Sequence, residues 1–183
     1  MRNRSSPNAY SPNVAQTAVR AITVQQPWAW AIVSAAKNVE NRTHLWTHRG
    51  PLLIHAGARW SERGGRSELV RTQWARQHPG NNVTQHGALP KWLFAAAAAE
   101  QVAGVAAGAF VGVVDLVDVH PDMGCCKPWG ESSYTEHGGR ERRRVAHLVL
   151  ENARPLPEPI ACRGAQGLWV PPPDVVQRCE VAQ

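Results

Sequence analysis

Residues 109–120, AFVGVVDLVDVH, constrain the fold more than any other stretch of the 183-residue chain. Val, Phe and Leu alternate there with small or acidic residues, the period-two pattern of a long strand buried on one face. Such a strand needs partners, and shorter candidates lie at 20–24, 38–43, 50–57, 145–151 and 167–170. The segment 50–57, GPLLIHAG, is an apolar strand flanked by glycines, and the polar alternating run 38–43 is expected to lie beside it. Gln25-Gln26-Pro27 opens a helix over 27–36 with proline in its first turn. Trp28, Ile32, Ala35 and Ala36 share one face of that helix, which is expected to cover a sheet edge or barrel mouth.

Leu69, Val70 and Trp74 sit among charges at helical spacing within 58–77, and the breaker cluster 78–82 ends that helix. The alanine-rich run 91–107 reads as helical, weakened at its end by Gly104 and Gly108. Several short strands with a few helices predict an α+β fold, a small, partly open β-barrel with flanking helices. The expected organisation is a flexible tail over 1–18 and one domain over 19–171. That domain carries a helical insertion at about 59–108 and a long loop at about 121–144. Residues 172–183 follow the triple proline 171–173 as a short terminal helix or tail, with Asp174 as a cap.

Composition is compatible with a buried core: hydrophobic residues make up 43% and charged residues 19%, which excludes wholesale disorder. No stretch reaches the roughly 18 apolar residues that cross a bilayer. Arg2 and Arg4 are followed by Ser, Pro and Asn instead of an apolar run, so no secretory signal is expected and the expected location is cytoplasmic. Cys125, Cys126, Cys162 and Cys179 lack the spacing of a disulfide framework, and reduced thiols are expected. The net charge of +6 comes mainly from arginine, since only Lys37, Lys91 and Lys127 of the 20 basic residues are lysines. Arginine favours planar recognition of phosphate, although a GC-rich coding sequence enriches it equally well.

Three blocks carry a further signal: Gln26-Pro27-Trp28-Ala29-Trp30-Ala31-Ile32-Val33, then Lys37-Asn38-Val39-Glu40-Asn41-Arg42, then Arg49-Gly50-Pro51-Leu52-Leu53-Ile54-His55-Ala56. In this order and at these separations they resemble the start of an ASCH domain, and 111–119, 147–155 and 164–169 resemble its remainder. The resemblance implies a PUA-like β-barrel and RNA binding or RNA-linked chemistry. Some bacterial members are N4-acetylcytidine amidohydrolases or ribonucleases. It also implies a functional centre at Lys37-x-x-Glu40-x-Arg42. The chain departs from the amidohydrolase-type members, which have threonine where Glu40 stands.

Read by its chemistry, the same motif puts a lysine, a carboxylate and a guanidinium within six residues. In a desolvated cleft Lys37 can lose its proton and act as a base, Glu40 can move protons, and Arg42 can neutralise a phosphate or oxyanion. The competing reading is an ion-pair network that holds helix to sheet. Lys37 and Glu40 are therefore the candidate catalytic residues, and Trp28, Arg42 and His55 the candidate substrate-binding residues. Trp28, Trp30 and Trp169 can stack bases or fill a core; Trp28 is expected to line a cleft and Trp169 to be structural. His55 and His147 lie in apolar strands, where a hydrogen-bonded core histidine is the commoner outcome.

His120, Cys125, Cys126 and His137 share one loop and are zinc-type ligands. Adjacent cysteines are awkward joint ligands, however, and the spacing is not that of a zinc finger, so no metal ligand is assigned and structural zinc is not expected. A divalent metal is compatible with either hydrolytic chemistry. The run Arg140, Arg142, Arg143 and Arg144 reads as a nucleic-acid grip or as a solvated loop. The expected partner is RNA or a nucleoside, with no membrane. Two functions are carried forward: a hydrolase acting on a modified nucleoside or on RNA, and a non-catalytic RNA- or DNA-binding module.

Overall fold

Alternation along each strand decides which face of the sheet a residue serves, and two apolar clusters separate on that basis. The structure, a computed structural model of the chain, describes residues 18–79, 87–132 and 144–181. Its strands are β1 (Arg20–Gln26), β2 (Val39–Arg42), β3 (Gly50–Trp60), β4 (Ala109–Pro121), β5 (Ala146–Ala161) and β6 (Leu168–Trp169). Its helices are α1 (Trp28–Ser34), α2 (Glu62–Arg66), α3 (Glu68–Gln77), α4 (Lys91–Ala99) and α5 (Pro173–Val181). The strands form one open mixed sheet in the order β2-β5-β4-β3-β1-β6, with β1 parallel to β3 and every other pair antiparallel. This is the expected α+β class, an open half-barrel with flanking helices.

Ile22 and Val24 of β1, Leu52, Ile54 and Ala56 of β3, and Leu148 and Leu150 of β5 face one way, against Ala29, Ile32 and Val33 of α1. Ala21, Leu53, Val113, Leu156 and Ile160 face the other way, against Val175 and Cys179 of α5. Helix α1 is not amphipathic in the expected sense. Its opposite side, Trp30, Ala31 and Ala35, is also buried, packed on Val70 and Trp74 of α3 and on Leu89 and Phe94. The 27–36 helix is thus the layer between sheet and helices, which is why its apolar residues do not form a single stripe.

The polar run 38–43 and the apolar run 50–57 are not neighbours. β3 pairs with β1 and β4, whereas β2 sits at the sheet's far edge on β5. The parallel β1–β3 pair requires a crossover connection, and α1 with β2 occupies it. β5 runs ten residues beyond the expected end at 151. Its second half carries Pro155, Pro157 and Pro159, residues that argue against a strand by propensity. Pro is tolerated at a free edge, and β2 covers only Ala146 to Val149 of β5, so the proline half has one unpaired side. The arginine run at 140–143 and His137 lie outside the described residues. Among those described, no helix is long and apolar enough to cross a membrane.

Trp30 is fully buried and meets Trp74 edge-on at 5.0 Å and Phe94 at 6.0 Å between ring centroids. Trp30→Ala should therefore lower stability by about 3 to 5 kcal/mol, read from the urea midpoint at unchanged m. Trp92→Ala, at a site 66% exposed, should shift it by less than about 0.5 kcal/mol.

Candidate functional site

The turn out of α1 sets the site. Gln26 caps the helix by accepting from Trp30 N at 2.9 Å, while its amide donates to the Gly104 and Ala106 carbonyls at 2.8 and 3.0 Å. At the other end Ala36 adopts φ 55, the left-handed region that costs a non-glycine residue about 1 to 2 kcal/mol. Lys37 N then donates back to the Ala31 carbonyl at 2.9 Å, which closes the helix and launches Lys37 toward β2. In β2 residues two apart share a face, so Asn41 points one way and Glu40 and Arg42 the other; Lys37, in the turn before the strand, reaches Glu40 on that face from outside the alternation.

On that face is a cleft of about 640 Å³ lined by Trp28, Lys37, Glu40, Arg42, Arg63 and Trp129 among others. The volume lies within the range of small-ligand sites. Lys37 Nζ donates to Glu40 Oε2 at 2.9 Å and to the Val39 carbonyl. Arg42 Nε stands 3.1 Å from Glu40 Oε1 without the alignment of a hydrogen bond, and its Nη2 donates to the Thr23 carbonyl at 2.8 Å. Lys37 is 3% exposed and Glu40 9%. The Lys37 ammonium lies 5.8 Å from the Trp28 ring centroid, within cation–π range.

Electrostatics separates the two ionisable groups. Burial pulls the Lys37 pKa below the ordinary lysine value, aided by the positive Arg42 and Arg63, and the charge and hydrogen bond of Glu40 only partly restore it. Burial pushes the Glu40 carboxyl up, yet Lys37, Arg42 and Arg63 together outweigh it and hold the pKa below the usual carboxylate range. The arrangement is an ionised carboxylate gripping an amine that gives up its proton more readily than a free lysine does.

Trp28 is fixed by an Nε1 bond to Ser61 Oγ at 3.1 Å. Ser61 also caps α2 by accepting from Gly64 N at 3.0 Å. A Cβ at Gly64 would stand 2.7 Å from Pro27 Cδ and 3.0 Å from Trp28 Nε1, so glycine is what lets α2 close against the indole. Arg63 extends from the same short helix and pairs with Glu131.

Of the sequence candidates, the structure brings Lys37, Glu40, Arg42 and Trp28 together. It does not bring His55. That ring is 2% exposed on the α5 side of the sheet, bonded through Nε2 to the Cys162 carbonyl at 3.0 Å and packed on Phe110 and Trp169. The reason is register: His55 alternates with Ile54 and Ala56, which face α1, and so shares the side of Leu53. Trp30 is wholly in the core. Arg63 was missed because the helical spacing of 58–77 marks only the apolar positions Leu69, Val70 and Trp74, and Trp129 and Glu131 because they come from the loop after β4, which has no periodicity. In the structure the helical stretch is two helices, α2 and α3, capped by Ser61 and Ser67.

A second group lies behind β2. Asn41 donates from Nδ2 to the Trp129 carbonyl at 2.9 Å and accepts from Glu131 N at 3.0 Å, tying the loop after β4 around the sheet edge. In that loop Cys125 and Cys126 meet His120 and the buried His147, one potential ligand atom from each lying within 4.8 Å of the others. All four cysteines of the chain are free thiols.

The crystal structure of ASCH from Zymomonas mobilis superposes with a TM-score of 0.47 at 13% identity, covering 89% of this chain and 94% of that one. Two point mutants of that protein give 0.48 at 12% identity, covering 89% and 96%, and 0.49 at 13% identity, covering 90% and 96%. No curated protein sequence matches significantly. The ASCH domain model matches residues 22–157, some three quarters of the sequence, including α1, β2 and every strand but β6 in whole or part. The chain belongs to the ASCH domain family, which is associated with RNA binding.

Proposed function

We propose that this protein is an RNA- or nucleoside-directed hydrolase whose centre is the Lys37–Glu40–Arg42 cleft. The reading rests chiefly on one observation: the 2.9 Å Lys37–Glu40 contact lies on the wall of an open cleft beside the Trp28 indole. A base stacks on or beside Trp28, and Arg42 with Arg66, another lining residue, meets a phosphate or carbonyl oxygen. For an acylated base the chemistry balances as follows. Deprotonated Lys37 takes a proton from water, and the hydroxide adds to the acyl carbon. The oxyanion so formed faces Arg42. Collapse breaks the C–N bond, the proton on Lys37 passes to the leaving amine, and a carboxylic acid departs. Glu40 holds the Lys37 amine in place and favours its protonated form during the transfer.

A non-catalytic RNA-binding module is the second reading, and the burial of Lys37 and Glu40 favours it, because a buried pair is also how a structural ion bridge looks. The two readings diverge on Glu40→Gln. In the hydrolase, turnover on acylated nucleosides or short RNAs falls about 100-fold or more while the variant remains folded. In the binding module the parent protein turns over no screened substrate, and the about 3 to 5 kcal/mol of stability that losing the buried pair costs in either reading is the variant's only effect.

Base stacking on an aromatic side chain contributes about 1 to 3 kcal/mol. Trp28→Ala should therefore weaken nucleoside or RNA binding at least about fivefold in a fluorescence or calorimetric titration. Unchanged affinity in a folded variant would move the ligand away from Trp28.

A further inference from the structure

The geometry points to a structural zinc site, independent of the cleft chemistry, formed by His120, Cys125, Cys126 and His147. Register builds half of it. His120 on β4 lies directly opposite His147 on β5, and directly opposed residues of an antiparallel pair project from the same face. Both therefore point to the side away from Leu148 and the α1 cluster, where the loop after β4 carries the two cysteines.

Hydrogen bonding assigns the free nitrogen of each ring. His147 Nε2 is 2.9 Å from the Glu131 carbonyl, an acceptor only, so Nε2 carries the proton and Nδ1 is bare. That Nδ1 faces Cys125 Sγ at 3.8 Å. His120 Nδ1 is 2.8 Å from the Pro121 carbonyl, so its bare nitrogen is Nε2, which faces Cys126 Sγ at 3.4 Å. Each unprotonated imidazole nitrogen is aimed at a sulfur. Around a tetrahedral zinc with Zn–S near 2.3 Å and Zn–N near 2.0 to 2.1 Å, such S···N separations are about 3.6 Å. The observed 3.4 and 3.8 Å bracket that value.

The surroundings are those of a ligand set held from behind. The Asp122 carboxylate lies 4.0 Å from His147 Nε2, near the place where a carboxylate orients a metal-bound imidazole. Adjacent cysteines converge because Cys126 turns through φ 63. Gly130 closes the loop on them, donating to the Cys126 carbonyl at 2.6 Å; a Cβ there would stand 2.8 Å from Cys126 Cβ. Two thiolates and two imidazoles select zinc over harder cations, and four protein ligands leave no open position, so the ion is structural. It would fix the segment that carries Trp129 and Glu131 to the cleft wall.

The test uses the untagged full chain under reducing conditions. Elemental analysis of the purified protein should give one zinc per chain. After chelation, Co²⁺ should add one equivalent with tetrahedral d–d bands and a thiolate-to-cobalt charge-transfer band. Cys125→Ser with Cys126→Ser should abolish that band and weaken zinc by more than the about 10- to 100-fold that loss of an outer partner costs, whereas Cys162→Ser should change neither. His120→Gln, at a partly buried position, provides the same readout should the cysteine variant not fold. A folded parent chain that takes up no cobalt while all four thiols titrate as free would overturn the site and leave only thiol–imidazole hydrogen bonds. Stoichiometric iron with labile sulfide would overturn the assignment to zinc.

Discussion

A carboxylate taken out of water must be given cations, and at Glu40 that requirement organises one edge of the molecule. Its two oxygens stand 2.9 Å from Lys37 and 3.1 Å from Arg42. The partners come from the turn after α1 and from β2 itself, so α1 and β2 cannot move apart without exposing an unpaired buried charge, at a cost of about 3 to 5 kcal/mol. The same burial that makes the pair hold the fold makes the Lys37 ammonium a stronger acid. Structural and chemical roles thus share one set of atoms.

The edge strand β2 works on both faces. Glu40 and Arg42 look into the cleft. Asn41, between them, clasps the loop that brings Trp129 and Glu131 round to the cleft's far wall. Opposite Asn41 in the sheet stands His147, and opposite His147 stands His120. A four-residue strand therefore couples the cleft to the cysteine–histidine cluster by backbone pairing alone, with no chain of moving parts.

How much of this was legible in the sequence depends on range. The long strand over 109–120 and the Lys37, Glu40 and Arg42 motif were readable because both are local: one is a period of two, the other a spacing of two and three. The neighbours of β2 were not, because the crossover that sends it to β5 is decided by α1 packing on both sides. His55 looked like a cleft residue only while the face of β3 was unassigned. The cysteine cluster was only partly legible for a related reason. His147 lies 21 residues after Cys126 and enters through strand register, whereas the sequence offered His137 from the same loop as the fourth ligand.

The central claim is that the buried amine of Lys37 serves a ligand-binding cleft. Its pKa, followed through the Lys37 side-chain carbon signal in an NMR titration with and without a short RNA, tests that most directly. The account predicts titration below the ordinary lysine value of 10.5 and a shift when RNA occupies the cleft. A Lys37 that titrates like free lysine, or that is indifferent to saturating RNA, would contradict it.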